Sequence, residues 1–204
     1  MTNVPYRLSF TTGGLFLPES AMVADLYLKN LDWKLTREQV REKNLLQVRT
    51  AAAALRISKE VVARLEHLSV PELQCVVDGT LRERGYLLWT AACLRYALIR
   101  EFAVEVLREY FVTLRQRLSL KDFDAFFNGK AMWHDELDRT TPSTQNKLRQ
   151  NLFRMLREAD LISPENLIQP AMLTPRIAAL LSARKCEAFL TFPLTDADIN
   201  RWQP

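Results

Sequence analysis

The chain has 204 residues, 48% of them hydrophobic, enough to bury the core of one larger domain or of two small ones folded together. Its 28 Lys and Arg against 24 Asp and Glu leave a formal charge of +4, which argues for an anionic partner only if it is concentrated on one face. Cys75, Cys93 and Cys186 lie far apart, without a CxxC pair or a nearby His, and indicate neither a disulfide framework nor a zinc site.

A reduced, cytoplasmic protein is therefore expected. The most apolar run, Gly85 to Leu94, is closed by Arg84 and Arg95, well short of the ~20 residues that span a bilayer. The opening MTNVPYRLSF has no long apolar stretch, so neither a signal peptide nor a membrane partner is expected.

Only five glycines occur, and no proline lies between Pro71 and Pro142, which predicts a mainly α chain. YRLSFTTGGLFLPES reads as an extended segment, a turn at Gly13-Gly14, and a helix from about Pro18 through Leu31. Thr36 with Gln39, Ser69 with Glu72, Thr80 with Glu83 and Ser119 with Asp122 have capping-box spacing, in which hydroxyl and acid or amide satisfy free helix N–H groups. They predict a short helix from Thr36 to Lys43 and further starts at Ser69, Thr80 and Ser119. NLLQ reads as a turn, and a longer helix is expected from about Thr50 to His67.

From Thr80 to Leu118 apolar residues occupy nearly every face, the pattern of a helix, or two in succession, buried at the centre. Ser119 to Asn128 reads as a short helix stopped by Gly129. After a turn around Trp133 to Asp138, Thr141 before Pro142 suits an N-cap, with the helix running to about Asp160. LISPENLIQP then reads as a short β-hairpin with Asn166 in a left-handed conformation. Thr174 and Thr195 open two last helices.

The helix from Pro142 carries the functional signal. Leu148, Leu152, Met155, Leu156 and Ala159 share one face and must pack inward. That turns Ser143, Asn146, Lys147, Gln150, Arg154 and Arg157 outward, with Arg149 on the flank. A face of donors without carboxylates suits phosphate oxygens and base edges of duplex DNA.

Short helix, turn, basic helix and hairpin together spell a winged helix-turn-helix. The plainer alternative is a solvated helix whose charges meet acids on neighbouring segments. The hairpin tip carries Glu165 and no cation, so Arg176 is the candidate to serve in its place. Lys43, Arg49, Arg56 and Lys59 repeat the charge pattern, either as a second nucleic-acid contact or as the edges of a core helix.

Nothing forms a catalytic constellation: GxxxxGK[ST], GxGxxG after a strand, HExxH and GxSxG are all missing, and no enzyme is expected. His134, Asp135, Glu136 and Asp138 fall close together, but adjacent polar residues at a helix edge seldom converge on one ion, and no cofactor is expected. The acids suit a helix N-terminus, and His67 a helix end where a cation is favourable. Trp33, Trp89, Trp133 and Trp202 are scattered and read as core or edge packing rather than a stacking platform.

At LSFTTGGLFLPES, REFAVEVLREYF, DFDAFFNGKAMWHDELDRTTPSTQNKLRQNLFRMLREADLIS and IQPAMLTPRI the chain resembles the BrxA family, small proteins of BREX bacteriophage-exclusion systems. The likeness runs from about Tyr6 to Phe192. It implies a bacterial cytoplasmic protein encoded beside a methyltransferase, an ATPase and a phosphatase-like component. It also implies a NusB-like helical fold with helix-turn-helix or winged-helix character, and binding of double-stranded DNA without catalysis. Other BREX proteins are implied as possible partners, and the NusB likeness leaves RNA as an alternative. The family carries no residue signature for the DNA site, which rests on the helical-face argument.

The expected organisation is an N-terminal helical, helix-turn-helix-like region (1–79), a central buried pillar (80–118) and a C-terminal winged-helix-like region (119–204), forming one compact unit.

Overall fold

The computed structural model describes residues 5–42, 45–46, 50–184 and 186–202. It is mainly helical. Residues 5–16 form an extended strap leading into α1 (Leu17–Asn30), which has Pro18 in its first turn. At α2 (Trp33–Glu42) the expected cap is displaced: Asp32 accepts from the N–H groups of Lys34 (2.6 Å) and Leu35 (3.1 Å). Thr36 is instead fully buried within α2, its hydroxyl donating back to the Asp32 carbonyl. A carboxylate four residues upstream outcompetes the hydroxyl as cap.

Thr50 caps α3 (Ala51–Leu65) by accepting from Ala53 N. Capping boxes at Ser69/Glu72 and Thr80/Glu83 open α4 (Val70–Asp78) and α5 (Leu81–Arg95). α5 is the pillar, with Tyr86 through Cys93 buried and the Trp89 indole donating to the Thr191 carbonyl at 2.9 Å. It ends at Tyr96, whose extended backbone breaks the helix, and α6 (Ala97–Phe102) resumes it. The pillar is thus two helices in succession. α6 continues through a π-helical turn, Ala103–Arg108, into α7 (Glu109–Val112).

The Ser119/Asp122 capping box opens α8 (Leu120–Ala131). Gly129 does not stop it: helix continues to Ala131, and a side chain at 129 would meet open space. Interior glycine costs a helix only about 1 kcal/mol relative to Ala, too little to end it without a tertiary demand for a turn. The expected turn after Trp133 contains a single helical turn, α9 (Asp135–Asp138). Thr141 caps α10 (Pro142–Glu158) through Thr144 N, and left-handed Asp160 follows its end.

In place of hairpin strands, the described residues after α10 show isolated antiparallel bridges, Ile162 with Ile168 and Arg117 with Leu167. Asn166, left-handed at φ 63°, closes the turn by donating to the Ser163 carbonyl. Thr174 caps α11 (Pro175–Ser182), a 3-10 segment covers Cys186–Thr191, and Thr195 exchanges hydrogen bonds with Asp198 at the start of α12 (Asp196–Trp202).

The strap ties the early and late elements together. Tyr6 N donates to Glu136 beside α10, the Phe10 carbonyl accepts from Asn151 on α10 (3.0 Å), and the Gly14 carbonyl accepts from Arg64 on α3 (2.7 Å). Arg64 is itself buried, paired with Glu60 at 2.7 Å and lying over the rings of Phe16 and Tyr96. Among the described residues, no helix is long and apolar enough to cross a membrane.

Candidate nucleic-acid interface

α10 is oriented by its apolar stripe. Leu148, Leu152, Met155, Leu156 and Ala159 are buried, joined by Phe153, which the stripe did not include. Burying five large side chains at about 1.5–3 kcal/mol each fixes the rotation of the helix far more firmly than any surface charge. Ser143, Asn146, Lys147, Gln150, Arg154 and Arg157 accordingly face solvent, with Arg149 half-buried on the flank.

The surface is less positive than the sequence of α10 suggests, because acids arrive from its end and from α8. Arg149 pairs with Asp124 of α8 at 2.5 Å and donates to Asn146 at 2.7 Å. Arg154 pairs with Glu158, one turn further along α10, at 2.7 Å. Arg157 donates to the Asn166 side chain at 3.1 Å, a neutral partner that leaves its charge intact. Lys147 is exposed and has no ion-pair partner among the described residues.

The fold adds one cation that sequence reading missed. Arg117 is exposed, and its bridge to Leu167 sets it beside Asn166 and hence near Arg157. The hydrogen bond from Ser163 holds the Glu165 carboxyl below its ordinary range, and Arg117 acts in the same direction. The turn that lacks a cation of its own thus borrows one from the segment before α8. The only route to Arg117 was the pairing of positions 117 and 167, for which a local sequence pattern carries no signal.

Other candidates are dispersed. Arg176 pairs with Asp78 at the end of α4 at 2.7 Å, and its further charged neighbour, Glu83, belongs to α5; it does not stand in for a cation at the turn after α10. Arg56 and Lys59 are exposed on α3, which packs on α1, α2 and α5 rather than forming part of α10. Lys43 and Arg49 lie outside the described residues.

His134 meets Glu136 at 3.1 Å while Asp135 pairs with Arg139, so these side chains serve local pairing and the strap. Among the described residues no group of three His, Cys, Asp or Glu is arranged to hold a metal. Burial lowers the His67 pKa and Arg95 lowers it further, favouring the neutral ring over the cation expected at a helix end. Trp133 is 78% exposed, whereas Trp89 is buried and Trp33 stacks on Tyr27.

The BrxA family model matches residues 4–185. A BREX protein BrxA of Paramagnetospirillum magneticum (strain ATCC 700264 / AMB-1) is 30% identical over 171 residues, covering 80% of this chain and 82% of that protein. One from Escherichia coli O9:H4 (strain HS) is 27% identical over 171 residues, covering 83% and 80%. The crystal structure of an uncharacterized protein from Magnetospirillum magneticum shares the fold, with a TM-score of 0.81 at 24% identity over 93% of this chain and 98% of that one.

Proposed function

Because this chain belongs to the BrxA family, whose relatives are BREX proteins, we propose that it is a cytoplasmic, non-enzymatic component of a BREX phage-defence system that binds double-stranded DNA through α10. The observation that carries the reading is the outer face of α10, where Ser143, Asn146, Lys147, Gln150 and Arg157 are presented together and Arg117 is added near the C-terminal end. Hydroxyl, amide and cationic donors on one exposed helix are what phosphates and major-groove edges accept.

The order of elements supports a winged-helix reading. An extended segment at Arg117, then α8, then the single turn α9, then α10, then a turn whose far side bridges back to Arg117 resembles the succession by which such a unit sets its recognition helix against a groove.

The test is fluorescence anisotropy with labelled duplex, single-stranded DNA and RNA across a salt series. With ~4 to 7 phosphate contacts, log affinity for duplex falls with log salt by roughly 0.9 per contact. Charge reversal at Lys147 and Arg154 abolishes binding; Lys147→Glu alone leaves melting unchanged, while Arg154→Glu lowers it slightly by setting a second carboxylate one turn from Glu158. Wild-type affinity in that double variant would overturn the assignment. Preference for RNA would favour the NusB-like alternative instead.

One observation favours a second reading. Asp124 and Glu158 neutralise two of the α10 arginines, which suits a surface that docks another BREX protein. Failure of all three nucleic acids to bind near about 150 mM salt, together with pull-down of a BREX component, would support it.

A further inference from the structure

We infer that the groove between α2 and α3 is a second anion site, separate from the α10 face, that holds the phosphodiester chain of a nucleic acid. It encloses about 520 Å3, and its walls carry Arg37, Arg41, Lys59 and Arg95 against Glu38 and Glu66, a formal excess of 4 − 2 = +2. One of the two carboxylates is already engaged, since Glu66 pairs with Arg37.

Arg41 and Lys59 are exposed and have no ion-pair partner among the described residues. Arg95 is fixed rather than neutralised: it donates to the Tyr96 hydroxyl at 3.2 Å and the Ala63 carbonyl at 3.3 Å, with its guanidinium over the Tyr96 ring. A preorganised guanidinium beside two unpaired cations lowers the ordering cost of holding an anion.

The field extends beyond the groove. After burial, Arg95 is the largest influence lowering the pKa of His67 near the end of α3, and Arg7 and Arg184 push the same way.

The chemistry of the walls selects the ligand. Guanidinium forks match phosphate oxygens in pairs, and Arg41 and Arg95 line this groove without a carboxylate partner among the described residues. An acidic peptide would also need apolar anchoring, for which the lining offers only Leu55 and Ala63. The phosphodiester comes either from another stretch of the duplex held on α10 or from a separate DNA molecule.

Inorganic tripolyphosphate, titrated by calorimetry, tests the site without DNA. The full chain binds it, Arg41→Glu with Lys59→Glu weakens it by roughly tenfold or more, and Lys147→Glu leaves it unchanged. Both groove positions are exposed, so the folded state tolerates the change, and Arg41→Gln with Lys59→Gln gives an intermediate loss. Equal binding in wild type and the groove variants, or loss on Lys147→Glu instead, would overturn the site.

Bead-tethered duplex separates the sources. Capture of a second, labelled duplex that disappears in the groove variant means a separate molecule. A salt slope smaller by roughly 1.8, without capture, means the same duplex. A groove variant with wild-type slope and capture also overturns the inference. The tripolyphosphate result stands apart from α10, so either surface can fail without the other.

Discussion

Glu158 at the end of α10 accepts a hydrogen bond from the backbone N–H of Leu15 in the N-terminal strap, at 2.5 Å. Its other oxygen accepts from Arg154 at 2.7 Å. One carboxylate therefore both closes the strap onto the candidate interface and discharges a cation of that interface. Under the proposed function, stability and duplex binding are coupled through it.

Replacing Glu158 with Ala is expected to act in opposite directions on the two. Loss of the acceptor for Leu15 N costs about 1–3 kcal/mol. Arg154, released from its acid, raises duplex affinity by several-fold. Melting and anisotropy on the same preparation check this, and a variant that loses both stability and affinity would show that Arg154 needs Glu158 to position it.

Gly14→Ala attacks the same latch from the strap. A Cβ at Gly14 would sit 2.2 Å from Oε2 of Glu158, so the carboxylate must leave its place. Steric insertion of this kind costs about 1–3 kcal/mol. In the Glu158→Ala background the obstacle is gone, so the double variant is less destabilised than the sum, by ~0.5–3 kcal/mol. Additive melting shifts would mean that the clash is relieved elsewhere.

Stability should fall in acid for a specific reason. Burial pushes the Glu72 carboxyl up, but Arg184 and the Ser69 capping box outweigh it and hold it below its ordinary value of 4.5. A depressed folded pKa contributes stability that is fully present above 4.5 and is lost as pH falls through the lower, folded value. Arg184→Met is therefore most destabilising at neutral pH, and its deficit relative to wild type shrinks below pH 4.5. Denaturant unfolding across that range checks the sign; a deficit independent of pH would assign the effect of Arg184 to its bond with the His67 carbonyl instead.

Arg117→Glu tests the cation that the fold supplies. The side chain is exposed, so stability should change by no more than about 0.5 kcal/mol. Duplex affinity falls and the salt slope drops by roughly 0.9, the share of one phosphate contact. An unchanged slope would remove Arg117 from the interface.

What the sequence determined by itself was local. The caps at Thr50, Ser69, Thr80, Ser119, Thr141, Thr174 and Thr195 need only residues one turn away. The stripe Leu148, Leu152, Met155, Leu156 and Ala159 needs only helical periodicity, which is why the buried and exposed faces of α10 were legible. Thr36 failed at the same scale because Asp32 offered a stronger acceptor, and Gly129 because helix propensity alone does not end a helix.

Beyond the Arg154–Glu158 pair within α10, only the tertiary structure decided the charge around the candidate interface. Asp124 neutralises Arg149 across 25 positions, Asp78 takes Arg176, and the bridge to Leu167 brings Arg117 to the turn beside Arg157. Helical periodicity says which way a side chain points. Its net field depends on charges that chain folding brings within a few ångströms, and these are set by the packing of other helices.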